Sequence, residues 1–559
     1  MSDRPALLND RSDFLPEAIG GLVAAHPDAA WHADPGFVGR ADAPRDAETP
    51  RVGLVSGGGS GHEPLHIGFI GAGMLTAACP GLLFTSPNAL QVVGATRWAD
   101  AGRGVLHIVK NYTGDVMNFQ VARDAVAVDG VETDVVVVAD DVATESDEGP
   151  GRRGTAATIV VEKVCGAAAE RGDDLARVTE LGRAAAEASR SMAVAVAPGR
   201  LPTADRPTFD LENGSFELGA GIHGEPGVGR IDATSAGELV DTLLTRIAAS
   251  LELSAGDRIV LVVNGLGATH GLELALVYGE ALRRLSEREV VVERGLVGSF
   301  VTAVDTAGFS ITLTRVDDEM LDLLDAPTAA PAWPNAIAHR PTYEDARPEV
   351  DDSLPDGEEC GWLSAFVERV QGGIDALTDL DRRAGDADFG TNMEAALGDI
   401  DLPVRGDDAG VLQALADRLL VRSGGTSGAV FGTLFRELAT ARRAEENAAI
   451  ALATGLERAA SAITDLGGAQ VGDRTMIDAL VPAAQEARAC ADAGEDDLAA
   501  CLERVHVAAR EGARSTREMT AAKGRASYNA DSARGVVDPG AIVVSWLFGG
   551  DGDVSAFEA

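Results

Sequence analysis

The segment RVGLVSGGGSGHEPLH, which spans Arg51–His66, joins a short β-rich run to a cluster of glycines. The aliphatic and β-branched residues before the glycines predict a strand. Glycines after a strand allow backbone N–H groups to approach a small polar ligand, and His62 would lie at the mouth of such a turn. A tight connection from a strand to a helix gives a similar pattern, so the turn alone does not establish a binding site.

The first half of the chain repeats this alternation of short β-rich runs and longer helical patterns. The stretch TIVVEKVCGAAAERG, residues 158–172, is one of the helical patterns between the strands. Such an alternation is typical of an α/β fold. The predicted strands span residues 51–56, 104–109, 133–140, 191–197, 258–264 and 310–316.

The character of the sequence changes beyond residue 337. Residues 338–358 are polar, acidic and punctuated by proline, which is typical of an interdomain linker. After them strand patterns nearly vanish, and Ala/Leu/Arg/Glu segments at helical spacing predict an all-helical domain. We therefore expect a multidomain protein with an α/β domain in residues 1–337, a linker in 338–358 and an all-helical domain in 359–559.

The charge of the chain is strongly negative. Its 88 acidic and 47 basic residues give a formal net charge of −41. A surface with this charge repels the phosphate backbone of nucleic acids, so we expect no nucleic-acid partner. Salt screens such repulsion, which suits a high-salt cytoplasm, but the codon usage of a high-GC genome explains the same composition.

Neither a membrane segment nor a disulfide framework is indicated. No run of about 18 apolar residues occurs, and the opening MSDRPALLND lacks an apolar signal region. The five cysteines are scattered without a CxxC pair, as expected for reduced thiols. We therefore expect a cytoplasmic protein that does not bind membranes.

Two further motifs bring polar side chains to loops of the first domain. HIVKNYTGDVMNF, residues 107–119, is a strand whose carboxyl end would deliver Lys110 and Asp115 into a loop. ELGAGIHGEPG places His223 among glycines, where neither helical nor strand periodicity holds. Ligands of open α/β sheets bind at the carboxyl ends of strands, so a shared site with His62 is favoured over a purely structural role.

The helical domain carries a cluster of carboxylates. LTDLDRRAGDADFGTNM places Asp381, Asp386 and Asp388 around a glycine turn. Clustered carboxylates repel one another unless a hard cation neutralises them, and Asn392 stands where a calcium loop needs a glutamate. Magnesium with a phosphate ligand fits better than calcium, although a solvated acidic turn would explain the segment taken alone.

A second motif of the helical domain predicts phosphate binding. RSGGTSGAVFG, residues 422–432, places small residues and hydroxyls at the start of a helix, where free N–H groups and the positive helix end attract anions. No GxxxxGK[ST] sequence occurs, which excludes a P-loop ATPase. Two later segments, GDRTMID and KGRASYN, add glycines and the cations Arg474, Lys523 and Arg525.

Together these motifs resemble the ATP-dependent dihydroxyacetone kinases, single chains that fuse an α/β substrate domain to an all-helical nucleotide domain. The resemblance runs from LLNDRSDFLPEAIGGLVAAHPD near the start of the chain to DPGA near its end. Its most specific segments are SGGGSGHEPLHIGFIGAGMLTAACPG, FTSPN, IVKNYTGDVMNF, GRRGTAATIVVEKVCGAAAERG, GAGIHGEPG and NGLGAT.

The resemblance implies roles for residues of the first domain. His223 would add to the carbonyl of dihydroxyacetone to form a hemiaminal, and Asp115 would take the proton from the hydroxyl that attacks ATP. His62, also expected to be catalytic, would hydrogen-bond the substrate together with Gly59, and Lys110 would lie close to it. The chain would then transfer the γ-phosphate of ATP to dihydroxyacetone.

The resemblance also implies a site for ATP and Mg²⁺ in the helical domain. Asp381, Asp386 and Asp388 would hold Mg²⁺ between the ATP phosphates. Arg525 would face the transferred phosphoryl group. The phosphate contacts would come from Gly424, Gly425, Thr426 and Ser427, and the nucleotide would be bordered by Gly472, Met476, Asp538, Pro539 and Gly540.

Other functions stay open beside the leading one. The magnesium loop reads GDADFG, where the family has GDGDHG or GDGDCG, and NADSARG replaces a Gly-Glu-Arg-Ser stretch. The acceptor could be erythrulose or glyceraldehyde, or the protein could be a regulator that binds a ketose without phosphorylating it. Relatives that use phosphoenolpyruvate are disfavoured, since they split these domains into separate subunits. The family also implies a homodimer in which the helical domain caps the partner chain.

Overall fold

The computed structural model describes residues 6–42, 44, 48–145, 151–347, 353–384, 387–495, 497–523 and 534–558. The chain divides into two compact units, of which the first ends at Asp345 and the second begins at Ala346. The first unit is α/β and the second is helical, so the predicted fold class is confirmed.

One sheet of the first unit is built from β1 (Ala29–His32), β2 (Phe37–Arg40), β3 (Gly53–Ser60), β4 (Ala77–Leu83), β5 (Val105–Lys110) and β6 (Thr133–Val138). The strands lie in the order β1-β2-β4-β3-β5-β6. The centre is parallel, because β3 pairs in parallel with β4 and β5, and β5 pairs in parallel with β6. The carboxyl ends of β3 and β5 therefore meet at one edge of the sheet.

The other sheet is built from β7 (Ser189–Ala197), β8 (Ser215–Leu218), β9 (Gly229–Asp232), β10 (Arg258–Gly265), β11 (Val291–Gly298), β12 (Ala307–Arg315) and β13 (Ala338–His339). Its order is β13-β11-β10-β12-β7-β8-β9, and only the β10–β11 pair among these described strands is parallel. All six strands predicted from the sequence are present in the two sheets.

The helices of the first unit are α1 (Phe14–Ala25), α2 (Ala89–Ala99), α3 (Thr113–Ala127), α4 (Ala157–Arg171), α5 (Leu175–Glu187), α6 (Ala236–Leu251), α7 (Gly271–Glu287) and α8 (Asp318–Asp325). Every residue of α4 from Ala157 to Ala169 is buried. Its apolar side chains share one core cluster with Leu106 of the first sheet and Val262 of the second. Because α4 lies inside this core, its charged residue Glu162 is buried as well.

The glycines of the opening segment do not form the turn that the sequence predicts. The strand β3 continues through Gly57, Gly58 and Gly59 to Ser60. A Cβ atom on Gly57 would lie 2.7 Å from the carbonyl oxygen of Cys79, and one on Gly59 would lie 2.6 Å from the backbone nitrogen of Thr85. The glycines are therefore needed for the close approach of neighbouring backbone, and the loop begins after Ser60.

The segment predicted as a linker begins on the second sheet. Ala338 and His339 pair with Gly295 and Arg294 of β11. The next residue, Arg340, donates hydrogen bonds to the buried carboxylate of Glu293. A two-residue strand carries no periodic signal, so the sequence pattern alone could not distinguish these residues from a linker.

The second unit is built from α9 (Gly361–Ala384), α10 (Phe389–Leu397), α11 (Asp408–Arg422), α12 (Gly425–Ala444), α13 (Ala448–Gly467), α14 (Ile477–Asp492), α15 (Leu498–Ser515), α16 (Pro539–Phe548) and α17 (Ser555–Glu558). Its described residues contain no strand, apart from an isolated bridge between Glu359 and Arg405. α16 is buried along its whole length and forms part of the core. In the described part of the chain, no helix is both long and apolar enough to cross a lipid bilayer.

Candidate functional site

Three loops of the first unit bring aromatic rings together around His223. The His223 ring centroid lies 4.7 Å from that of His62, which follows β3. It lies 4.4 Å from the ring centroid of Tyr112, just before α3, and 5.8 Å from that of Phe84, just after β4. The structure thus joins the predicted His62 and His223, and adds two aromatic walls that the sequence analysis did not name.

Glu225 holds the imidazole of His223 in place. One oxygen of the Glu225 carboxylate accepts a hydrogen bond from the backbone N–H of His223 at 2.9 Å, and the other lies 3.3 Å from His223 Nδ1. Burial would raise the pKa of Glu225, but the hydrogen bond and charge of His223 outweigh it and lower that pKa to about 2. In the neutral form of His223, an ionised Glu225 favours the ring proton on Nδ1, and Nε2 then has a lone pair for nucleophilic attack.

Three buried polar atoms at this site have no hydrogen-bond partner among the described residues. They are His62 Nε2, the hydroxyl of Tyr112 and Asp115 Oδ1. His62 Nδ1 donates to the carbonyl of Thr302 at 2.8 Å, so Nε2 carries the lone pair of a neutral ring. Burial, together with the charges of His223 and Lys110, lowers the pKa of His62. Unpaired buried polar atoms are costly, and a small hydroxylated ligand would satisfy all three.

Asp115 and Lys110 complete the polar side of the pocket. Asp115 lies in the first turn of α3 and is buried, and its Oδ2 atom is 4.0 Å from Lys110 Nζ at the end of β5. A Cβ atom on Gly58 would lie 2.3 Å from Lys110 Nζ, so a glycine in β3 makes room for the amine. Gly59, the predicted substrate contact, is the next residue of that strand.

The second unit has a cavity of about 220 Å³ that gathers most of the predicted nucleotide residues. The acidic pair Asp381 and Asp388 lies on one wall, and the first turn of α12 contributes Thr426 and Ser427. Two other predicted residues, Gly424 and Gly425, begin that helix, and Gly472 lies in the loop before α14. The remaining predicted residues on the wall are Met476, Asp538, Pro539 and Gly540.

Asp381, in the last turn of α9, contacts the backbone at the start of α10. Asp381 Oδ2 accepts hydrogen bonds from the backbone N–H groups of Asp388 and Phe389, both at 2.9 Å. Carboxylate oxygens are the protein ligands that Mg²⁺ prefers, so this pair fits a magnesium site. The third predicted ligand, Asp386, lies outside the described residues, as does Arg525.

A buried arginine supplies positive charge to the same cavity. Arg474 is 2% exposed, donates to the carbonyl of Val536 at 2.7 Å and has no partner for Nε among the described residues. Burial lowers its pKa, and Asp538 and Asp381 oppose that shift. Burial in turn raises the pKa of Asp538 to about 6. An unsatisfied guanidinium N–H in the cavity that Thr426 and Ser427 also line fits a phosphate ligand.

The two residues that differ from the family's magnesium loop, Ala387 and Phe389, flank Asp388. Phe389 lies on the cavity wall, and its ring centroid is 6.0 Å from that of Phe431. Ala387 has a φ of +66°, a left-handed conformation that glycine adopts without strain. The phenylalanine therefore adds apolar surface to the cavity wall, and the alanine adopts a conformation that favours glycine.

A pocket for a small polar molecule in one unit and a cavity for an anion with a metal ion in the other define a two-domain phosphotransferase. Comparisons with known proteins agree with this division: the Dak1 domain matches residues 20–332, and the DAK2 domain matches residues 383–550. The chain belongs to the dihydroxyacetone kinase family, in the form that carries both domains in one chain.

Three relatives cover nearly the whole chain. Human triokinase/FMN cyclase is 37% identical over 96% of this chain and 97% of its own. L-erythrulose 1-kinase of Mycolicibacterium smegmatis is 36% identical over 97% of this chain and 98% of its own. The crystal structure of the dihydroxyacetone kinase from C. freundii in complex with AMP-PNP and Mg²⁺ has a TM-score of 0.60 and 31% identity, and covers 97% of this chain and 98% of that one.

Proposed function

We propose that this protein transfers the γ-phosphate of ATP to a primary hydroxyl of dihydroxyacetone, with the substrate held covalently on His223. The observation that carries the proposal is that the His223 ring lies next to His62 and Tyr112, which with Asp115 have buried polar atoms without a partner among the described residues. A three-carbon ketose offers one carbonyl for the imidazole and hydroxyls for the remaining atoms.

The tether forms without a cofactor. His223 Nε2 attacks the carbonyl carbon, a C–N bond forms and the carbonyl π bond breaks. Glu225, 3.3 Å from Nδ1, receives the proton of that nitrogen, and the former carbonyl oxygen takes up a proton from water, so that the net transfer is one proton from Nδ1 to that oxygen. The product is a neutral hemiaminal whose primary hydroxyl is held in a fixed orientation, which is worth several orders of magnitude in rate.

Asp115 is the general base of the transfer. Its unpaired Oδ1 atom accepts the proton of the primary hydroxyl as the hydroxyl oxygen attacks the γ-phosphate. Lys110 lies on the other side of the same carboxylate and stabilises the negative charge that develops on the oxygen. His62 accepts a hydrogen bond from a second hydroxyl of the ketose.

The helical unit holds Mg²⁺ and ATP. Asp381 and Asp388 fit as magnesium ligands, with Asp386 expected beside them, and the ion neutralises charge on the phosphates. Arg474 and the first turn of α12 hold the phosphate oxygens. Phe389 and Met476 contribute apolar surface for the base.

A second acceptor is favoured by the comparisons. A relative named L-erythrulose 1-kinase is as similar to this chain as the human triokinase, so a four-carbon ketose is a candidate substrate. ADP release should be measured with dihydroxyacetone, glyceraldehyde and L-erythrulose at equal concentration. The acceptor with the highest kcat/KM identifies the substrate class. If none of the three acceptors causes ADP release, the kinase assignment is refuted.

We also propose a cytoplasmic homodimer in which the helical domain of one chain closes over the substrate domain of its partner. Support for the location comes from the five cysteines, which are all buried and unbridged, as suits a reducing compartment. Support for the dimer comes from the family resemblance of the two domains.

A further inference from the structure

A chain of buried polar side chains leads from the substrate pocket into the core of the first unit. It comprises Glu162 of α4, His66 after β3 and Lys110 of β5, each at most 5% exposed. His66 Nδ1 lies 2.7 Å from Glu162 Oε1, and His66 Nε2 lies 2.7 Å from Lys110 Nζ. The imidazole therefore connects a buried carboxylate to the lysine that stands 4.0 Å from Asp115.

These distances restrict where the protons lie. Both 2.7 Å contacts of His66, with Glu162 and with Lys110, are hydrogen bonds. Each therefore has a proton on one of its two atoms and a lone pair on the other. Lys110 Nζ also donates to the carbonyl of Gly57 at 3.0 Å. As an ammonium, Lys110 donates to Gly57 and to His66 Nε2 and keeps its third N–H for Asp115. His66 then carries its proton on Nδ1 and donates it to Glu162 Oε1.

Burial and neighbouring charges act against each other along the chain. Burial lowers the pKa of Lys110, whereas Asp115 and Glu162 raise it. Burial raises the pKa of Glu162 to about 8, although Lys110 opposes that rise. Burial, Lys110 and His62 all lower the pKa of His66, so its ring stays neutral. The ammonium of Lys110 is the charge that both carboxylates stabilise.

We propose that Glu162 and His66 are positioning residues that keep Lys110 charged beside Asp115. Glu162 acts on Lys110 through the neutral imidazole, whose orientation it fixes by accepting the Nδ1 proton. Without that carboxylate, the desolvation of a fully buried ammonium would be offset by Asp115 alone. What Lys110 then does to the substrate rests on the proposed function, but its charge is a property of the free protein.

The lysine content of the chain allows a direct test on the free protein. Only Lys110, Lys163 and Lys523 occur, so labelling lysine with ¹³C at Cε gives three NMR signals, which Lys163→Arg and Lys523→Arg assign. Glu162→Gln keeps a carbonyl oxygen as acceptor for His66 but removes the charge. We expect Lys110 to lose its proton about one pH unit or more lower in this variant.

A matched control and a second variant make this test specific. His107 lies on β5 like Lys110, is fully buried and pairs with Thr96 at 2.9 Å, outside the pocket. His107→Gln should leave the Lys110 titration unchanged. His66→Leu removes the imidazole between Glu162 and Lys110 but retains the Glu162 carboxylate, and it should also lower the pH at which Lys110 titrates. This variant replaces Glu162→Gln in the test if Glu162→Gln does not fold. A Lys110 signal that titrates identically in the wild type and a folded variant overturns the proposal.

Kinetics give a readout that a packing defect would not reproduce. The alkaline limb of the kcat profile should move to lower pH in Glu162→Gln, while KM for the ketose changes less than threefold. His66→Gln, whose amide can accept from Lys110 and donate to Glu162, should recover more kcat than His66→Leu. Equal kcat in those two His66 variants would contradict the link. A wild-type protein without kinase activity would refute the proposed function and leave the NMR result intact.

Discussion

If His223 is the tether that we propose, it would select acceptors by their chemistry, because only a carbonyl carbon accepts its nitrogen. Glycerol and dihydroxyacetone have similar sizes, and hydrogen bonds alone separate such molecules modestly. We expect turnover of dihydroxyacetone, no appreciable turnover of glycerol, and a kcat/KM for dihydroxyacetone lower by on the order of 10³-fold in His223→Ala. An adduct of substrate mass should appear on the wild type in intact-protein mass spectrometry.

The exposed histidine His339 provides the control for this prediction. It lies on β13 with 60% of its side chain exposed, so His339→Ala should keep both the adduct and the activity. Comparable rates with glycerol and dihydroxyacetone, or ordinary ketose affinity in His223→Ala, would show that His223 is not a tether.

Ala387 stores backbone strain beside the proposed magnesium ligands. A φ of +66° costs an alanine more than a glycine, although glycine loses more entropy on folding. We expect Ala387→Gly to raise the free energy of unfolding of the protein by about 0.5 to 1 kcal/mol net. Denaturant unfolding should be compared with Ala493→Gly, at a φ of −78°, which should be destabilising. A loss of stability in both variants would mean that the loop is not strained at Ala387.

At the scale of elements, the sequence predicts six of the strands and misses the short ones. It also misses β4 and β11, whose sequences AACPGLL and VVERGLVG are interrupted by proline, glycine or charged residues. β5, β7, β10 and β12 are rich in β-branched and aliphatic residues and are almost wholly buried, as is typical of strands inside a sheet. β1, β2, β8 and β9 have four residues each, too few for a period to show. The predicted β3 ends too early, at residue 56, because consecutive glycines are typical of turns. The sequence alone does not show the backbone that packs against them.

For the candidate site, too, the sequence does not show which residues pack against one another. Four residues of the site could be predicted because each lies in a recognisable loop motif: His62, Lys110, Asp115 and His223. Glu162 could not, since it lies 96 residues after His66 and within a run that reads as an ordinary apolar helix. Only the burial of α4 on all sides shows that the carboxylate cannot reach water. Tertiary packing, and not local pattern, carries that information.

Substitution of a glycine in β3 tests whether the glycines are needed for the close approach of neighbouring backbone. A Cβ atom on Gly57 would approach both the carbonyl oxygen and the Cβ atom of Cys79, at 2.7 and 3.0 Å. We expect Gly57→Ala to destabilise the first unit by about 1 to 3 kcal/mol. Gly20→Ala, in an exposed position of α1 with nothing within 4 Å, should be neutral or stabilising. Equal effects of the two changes in thermal unfolding would contradict the close-packing explanation.

At the scale of the whole molecule, the net charge of −41 predicts a response to salt. Repulsion between acidic side chains opposes the compact state, and screening shortens its range. We expect the Tm to rise by several degrees when KCl increases from about 0.1 M to about 1 M, where the screening length falls roughly threefold. A neutral osmolyte at matched osmolality is the control. If it raises the Tm equally, exclusion of solute and not charge screening is the cause.

The proposed exchange of helical domains predicts how two inactive variants behave together. His223→Ala removes the tether in one domain, and Asp381→Ala removes a magnesium ligand in the other. If each active site combines domains of different chains, a heterodimer of the two variants has one site with both changes and one site with neither. Half of the dimers in an equal, fully exchanged mixture are heterodimers, so about a quarter of the wild-type activity should return.

Sites formed within one chain lead to a different result. Every chain in the mixture then carries one of the two lesions, and no site is intact in any dimer. A double variant that carries His223→Ala and Asp381→Ala in one chain gives the converse test when it is mixed equally with the wild type. Crossed sites should then leave about a quarter of the activity of an all-wild-type sample, and sites within one chain about a half. Heterodimers that are demonstrated by mass but show no recovered ADP release would therefore exclude the crossed arrangement, whereas recovery near a quarter requires it.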